Sequence, residues 1–275
     1  MRLLIELAFA VSLGACLVVD TIHLELVIAD VESQAEERPT YKPTGLEGKV
    51  YGRIRFNGDP PIRKRIDMSG DANCAATAKN PRTADFIVAD GGLSNAFVYV
   101  KGGDLAKFAF EIPATNAVLD QQRCQFTPRV LGLQIKQTLI ILNSDPTTHN
   151  IHPSPLANPE WNKMQAQYGT PIETRFMRAE TMVPVKCNLH PWMRAYVGVL
   201  AHPFFGVSST DGTYSITGLP PGDYTLVAWH EILGEKTVAL SIGPGEEKSV
   251  ELMFGTKTAR LPAHNLEIAN GIEVR

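Results

Sequence analysis

The sequence predicts an all-β protein made of two β-sandwiches behind an apolar N-terminal segment. Three observations predict it. Short runs rich in β-branched and aromatic residues recur along the chain, bounded by Gly, Pro, Asn or Asp. A hairpin signature fills Thr210 to Trp229, where Asp211-Gly212 and Pro220-Pro221-Gly222-Asp223 punctuate alternating runs. The stretch Val185 to Val199, VKCNLHPWMRAYVGV, sets Cys187, His190 and Met193 on a turn between two strand-like runs.

The 275 residues allow one large domain or two smaller ones, and 44% apolar residues suffice for a core. Formal net charge is −3. The first 35 residues hold Arg2 against Glu6, Asp20, Glu25, Asp30 and Glu32, which leaves 25 basic against 24 acidic residues elsewhere. That balance lacks the basic excess of nucleic-acid binding. No Gly-rich phosphate loop, nucleophile elbow or paired-carboxylate motif is present, so the expectation is a protein that is not an enzyme.

Residues 1–35 read as a signal peptide or membrane anchor. The apolar run from Leu3 to Val19 approaches the length of about 17–25 residues that spans a bilayer. Cleavage after Ser33-Gln34-Ala35, lipidation of Cys16 in Leu13-Gly14-Ala15-Cys16, and retention as an anchor all remain open. Each places the body in the periplasm or cell envelope, with membrane attachment in two of the three. Residues 36–47 are polar, hold two prolines and read as a linker.

From there, Lys49 to Phe56 alternates as a strand and Ala96 to Lys101 is a second, with an irregular segment containing Cys74 between them. Val118-Leu119, Val130 to Ile135 and Gln137 to Leu142 are strand-like, and Asn143-Ser144-Asp145-Pro146 turns the chain towards His149. The segment from Pro153 to Thr174 reads as a loop or short helix that covers part of the site. Thr181 to Lys186 and Ala195 to Ala201 are the strands flanking Cys187, His190 and Met193. Lys236 to Ile242 and Lys248 to Phe254 close the series, and 257–275 is a tail.

A thiolate, an imidazole and a thioether on one turn are soft ligands that suit copper better than hard cations. A further imidazole is available in His149-Asn150-Ile151-His152. Two imidazoles and a thiolate with a weak axial thioether describe an electron-transfer copper site. Pro191 stiffens the turn by fixing φ.

At these residues the chain resembles the cupredoxins, the small blue copper proteins, in their amicyanin-like and plastocyanin-like branch. Cys-Asn-Leu-His-Pro-Trp-Met-Arg, from Cys187 to Arg194, and the upstream His-Asn-Ile-His carry the resemblance, which spans Thr115 to His202. It implies a Greek-key sandwich over 115–203 and one type 1 copper held by His149, Cys187, His190 and Met193. It further implies that His149 rather than His152 is the ligand, and that Asn150 braces the Cys-bearing turn. Trp192 departs from the pattern, which has a smaller aromatic residue there. The loop histidine of such proteins reaches the surface. An apolar docking patch of Pro153, Pro191 and Trp192 is therefore expected around His190, for a c-type cytochrome or another exported redox protein.

The pattern from Asp211 to Tyr224, D-G-T-Y-S-I-T-G-L-P-P-G-D-Y, resembles the transthyretin-like regulatory modules of carboxypeptidases. That resemblance implies a second, non-catalytic β-sandwich over 204–256. Gly48-Lys-Val-Tyr-Gly-Arg-Ile54 fits the opening strand of such modules. Residues 48–114 are then either the first part of that sandwich, interrupted by the copper domain, or an N-terminal extension of two consecutive domains.

With Cys187 assigned to metal and Cys16 set aside, Cys74 and Cys124 remain. In an oxidising compartment they are expected to form a disulfide, with two free buried cysteines as the rival reading. His152, His202, His230 and His264 are expected to be surface or hydrogen-bonded core residues. The function expected is single-electron transfer between exported partners. The alternative is a cell-envelope module that holds copper without turnover. A copper oxidase or reductase would need a second cluster with more histidines.

Overall fold

A computed structural model describes residues 38–255 of the chain. The apolar segment 1–35 with Cys16, and the tail 257–275 with His264, lie outside the described residues. Among the described residues no helix is long and apolar enough to cross a membrane. The fold is all-β, its helices being Ala72–Thr77 and the short 3-10 turn Gly103–Lys107.

One sandwich spans Ala117 to Leu200. Its five-stranded sheet runs in the order Lys163–Gln165, His149–Pro153, Glu180–Lys186, Arg194–Leu200 and Val130–Gln134. Its four-stranded sheet runs Ile172–Thr174, Leu139–Asn143, Ala117–Gln122 and Gln125–Thr127. Leu139–Asn143 alternates between buried and half-buried, as a strand with one face on a core must. Leu119, Ile141, Ile151, Val183, Val185 and Val197 meet in the core between the two sheets.

The second sandwich is built on Gly48–Asn57. This strand pairs antiparallel with Thr213–Leu219 and parallel with Glu247–Ser249 and Leu252–Gly255. The facing sheet runs Phe205–Val207, Phe97–Lys101, Gly222–His230 and Gly234–Ile242. The chain therefore enters this sandwich at Gly48, leaves it after Lys101 and returns to it at Phe205. The stretch Lys248 to Phe254, expected as one strand, is broken at Val250 and Glu251. The register against Gly48–Asn57 is the same on both sides of the break, where the strands approach closely: a Cβ on Gly52 would stand 1.9 Å from the Val250 carbonyl oxygen.

Phe97–Lys101 is buried on both faces, which is why it reads as a continuous apolar run rather than an alternating one. Val98 and Val100 join the core of the second sandwich. Phe97 and Tyr99 join a separate cluster with Val130, Leu200 and Val227, which packs the two sandwiches together. Gly198 and Gly132 are register partners on the facing sheet. A Cβ at Gly198 would lie 2.5 Å from the Phe97 ring, and one at Gly132 would lie 2.3 Å from the Phe205 ring. Glycine at both positions lets the aromatic rings lie against backbone.

The segment read as irregular contains Ala72–Thr77, capped by Asp71, whose carboxylate accepts from the backbone N–H groups of Asn73 and Cys74, both at 2.9 Å. Ile66, Met68, Cys74 and Ala78 pack onto the core of the first sandwich. The Cys74–Cys124 disulfide is formed and ties this segment to the turn after Ala117–Gln122.

Two expectations about stability follow. Gly198→Ala forces its Cβ against Phe97 and should destabilise the protein by about 1–3 kcal/mol, the usual range for overpacking. A lowered urea midpoint with an unchanged slope would show this. His230 is 1% exposed, its ring edge-on to Phe86, and burial followed by the charge of Arg129 pushes its pKa down to about 4. The unfolded chain takes up that proton near pH 6.5, so the stability linked to a neutral His230 is complete above pH 6.5 and is lost as pH falls towards 4. The loss is on the order of 3 kcal/mol. Stability measured against pH should flatten across this window in His230→Phe.

Candidate metal centre

The centre lies where His149–Pro153 meets the turn after Glu180–Lys186. Two main-chain bonds close that turn: Cys187 N–H donates to the Met193 carbonyl at 3.2 Å, and Met193 N–H donates to the His190 carbonyl at 2.9 Å. Asn150 fixes it from the neighbouring strand. Its Oδ1 accepts from Asn188 N at 2.7 Å and Leu189 N at 3.3 Å, and it lies 3.3 Å from Cys187 Sγ. Cys187, His190 and His149 are 2%, 4% and 0% exposed, and Met193 is fully buried in the same core.

The ligand-capable atoms converge. Nδ1 of His149 lies 2.9 Å from Nδ1 of His190, and Cys187 Sγ lies 3.7 Å from His190 Nδ1. One nitrogen of each histidine and the Cys187 sulfur fall within 4.8 Å of one another. The outward nitrogens are both held by carboxylates. His149 Nε2 meets Asp145 Oδ2 at 2.9 Å, and His190 Nε2 meets Asp71 Oδ2 at 3.2 Å. Carboxylates behind both imidazoles fix the ring planes and turn the Nδ1 lone pairs to one point, as in metal sites.

The charges follow from these contacts. Burial opposes protonation of His149, but Asp145 and the Cys187 sulfur outweigh it and raise the pKa to about 9. Burial and then the charge on His149 lower that of His190, against the pull of Asp71. Burial resists ionisation of Cys187, but His149 and the backbone donors around it bring the thiol down. Partner types assign a consistent set of protons: His149 donates from both nitrogens, and His190 accepts at Nδ1 and donates from Nε2. A proton at His149 Nδ1 thus lies where these donors converge, and a metal ion bound there would displace it.

Asp145 is the hub of this end of the sandwich. It is 2% exposed, and besides His149 it accepts from Arg123 N at 2.6 Å and Cys124 N at 2.7 Å. Asn143 holds the turn in place by donating to the carbonyls of Thr147 and Ala166. Reading the sequence missed both Asp71 and Asp145. The available signals were an Asp at the start of a helix and an Asp four residues before His149.

His152 is turned away, its ring nitrogens meeting Asn188 Oδ1 at 3.1 Å and Glu160 Oε1 at 2.5 Å. The surface role expected for His190 is not met. Asp71 and the disulfide cover its ring edge, with Cys74 Sγ 3.8 Å from Nε2. The expected docking patch is dispersed accordingly: Pro153 is buried, Pro191 is exposed, and Trp192 is half-buried with Nε1–H donating to the Cys124 carbonyl at 3.0 Å. The segment 66–78 lies over the ring that an apolar patch would have surrounded. The stretch from Pro153 to Thr174, expected as a loop or short helix, instead forms the strands Lys163–Gln165 and Ile172–Thr174 and packs Trp161 and Ile172 against the core.

No protein-family model and no curated protein matches this chain. Solved structures to which it is similar include an amicyanin variant in the Cu(I) state, at 21% identity and a TM-score of 0.28, over 32% of this chain and 86% of that one. A Cu-containing nitrite reductase from Thermus scotoductus SA-01 matches at 17% identity and a TM-score of 0.29, over 37% of this chain and 25% of that one. A purple cupredoxin from Nitrosopumilus maritimus matches at 20% and 0.27, over 30% and 99%.

Replacing Asp145 by alanine strands three donors at once, those of Cys124 and His149 buried. The metal-free variant should lose about 3–5 kcal/mol, as when a buried charged partner is removed. Metal affinity should fall about 10–100-fold, the usual effect of losing a histidine-orienting partner. Chemical denaturation and a competition titration read the two effects separately.

Proposed function

We propose that this chain is an exported type 1 copper protein that passes single electrons between redox partners and makes or breaks no covalent bond in them. One observation carries the proposal: a buried thiol and two imidazole Nδ1 atoms converge, with each imidazole anchored by its own carboxylate. That donor set fits copper by its softness. His149, Cys187 and His190 would hold the ion, with Met193 as the weak fourth ligand. Copper supplies a one-electron change between Cu(I) and Cu(II).

The chain contributes rigidity and dryness. Asn150 and the two main-chain bonds of the turn keep Cys187 and Met193 in place, so little reorganises when the charge changes. Burial excludes water and other ligands from the open coordination positions. The Cys74–Cys124 disulfide supports export, since such bonds persist in oxidising compartments. The periplasm or cell envelope is the proposed location, and a c-type cytochrome or another exported redox protein is the proposed partner.

A second reading has an observation in its favour. His190 is closed off by Asp71 and the disulfide, which suits a module that holds copper without turnover. Adding Cu(II) to the metal-free protein and recording its visible spectrum tests the centre. A thiolate-to-copper charge-transfer band of high intensity is expected, and Cys187→Ser should abolish it. A colourless complex in the unaltered protein would refute the type 1 assignment. Rapid reduction by an exported cytochrome separates electron transfer from storage.

A further inference from the structure

We propose that the cleft beside the metal turn is a binding site for a small planar aromatic acid. The cleft encloses about 490 Å³ and is walled by Trp192, Tyr196 and Trp229, with Arg82, Arg129 and Arg194 among its polar residues. A volume of this size is that of a small-molecule site rather than a flat protein docking face. The aromatic wall is rigid: Tyr196 and Trp229 pack with centroids 5.0 Å apart. Arg129 grips buried Glu231 through two bonds of 2.5 and 2.7 Å. Rings held this firmly offer a flat ligand stacking surface without reordering.

Charge selects the rest of the ligand. Glu231 is neutralised by Arg129, which leaves Arg82 and Arg194 against Asp85 on the walls. Arg194 is exposed and its guanidinium is in no ion pair among the described residues. A cationic side chain beside aromatic faces favours a ring that carries a carboxylate.

The site's place in the molecule gives it a use. His190 is covered on its outer edge, but its ring lies 5.2 Å from that of Trp192, which faces both the centre and the cleft. Trp192 therefore stands between the cleft and the His190 imidazole, and Met193 lines the cleft beside it. Binding itself is independent of the copper reading. The role of the cleft as the point of electron entry rests on it.

The full chain without metal, titrated with 2,5-dihydroxybenzoate by calorimetry and tryptophan fluorescence, tests the binding. Saturable one-to-one binding with Kd below about 1 mM is expected, and Arg194→Gln and Trp229→Leu should each weaken it at least tenfold. Arg194 is exposed, so its variant keeps the test decisive if Trp229→Leu does not fold. Heat and quenching that never saturate would overturn the proposal and leave the cleft to a protein partner. Saturable binding unchanged in Arg194→Gln would overturn it too, by placing the ligand elsewhere. In the copper-loaded chain the hydroquinone ring of 2,5-dihydroxybenzoate would give one electron to Cu(II), leaving as a semiquinone and releasing a proton to solvent. Its rate should saturate at the same concentration, whereas the rate with dithionite should rise without saturating. A rate that fails to saturate with 2,5-dihydroxybenzoate overturns the electron-entry role while leaving the binding result intact. Failure to bind copper sinks the functional reading and the electron-entry role with it, and leaves the binding result intact.

Discussion

The Asp145 carboxylate is the constraint on which this end of the molecule depends. An acidic group at 2% exposure is tolerated only if its oxygens are fully engaged. Arg123 N, Cys124 N and His149 Nε2 engage them. Those three bonds join the turn that carries the disulfide to the strand that carries the first imidazole. Asp71 does the same on the far side, capping Ala72–Thr77 with one oxygen and meeting His190 and Thr147 with the other. The two carboxylates thus aim both histidines inward, while Asn150 aims the cysteine turn. The convergence of Nδ1 atoms follows from anchors placed behind the rings rather than from the ligands themselves.

The second sandwich matters to the centre through packing. Phe97 to Val100 and Leu226 to Ala228 are each buried on both faces, so one sheet serves two cores at once. Gly132 and Gly198 admit the Phe97 and Phe205 rings against the first sandwich. The cleft with Trp192, Tyr196 and Trp229 opens where that contact ends, because Trp229 and Tyr196 lie at the margin of the shared cluster. A structural contact and a candidate ligand site are therefore consecutive parts of one surface.

Much of this was legible in the residues. Cys187, His190 and Met193 lie within one turn, where spacing alone brings them close, and the hairpin from Thr210 to Trp229 is written in its turn residues. The pairing of Cys74 with Cys124 was also legible, because cysteine usage left no other partner. Asp71 was not: it stands far from His190 in sequence, and nothing local says that its second oxygen points across the fold. Asp145 was read as part of a turn, which it is, but its burial depends on three donors from two other segments. The break at Val250 faces Gly52 of a neighbouring strand, a contact that periodicity within Lys248 to Phe254 could not show.

The covered histidine changes how the centre has to be thought about. A loop imidazole at the surface would make its own ring edge the point of contact, and an apolar ring of residues around it would suffice for docking. Here the segment 66–78 occupies that position and is fastened there by a disulfide and a capping carboxylate. The cover is not an addition to a finished site, since Asp71 belongs to it and also orients His190. Removing the cover to expose the ring would remove the anchor that makes the ring a good ligand. On the proposed electron-transfer reading, access comes through a side chain that touches His190 and also reaches solvent. Trp192, half-buried beside His190 and lining the cleft, meets both conditions. Its large ring spans from the covered histidine to the cleft.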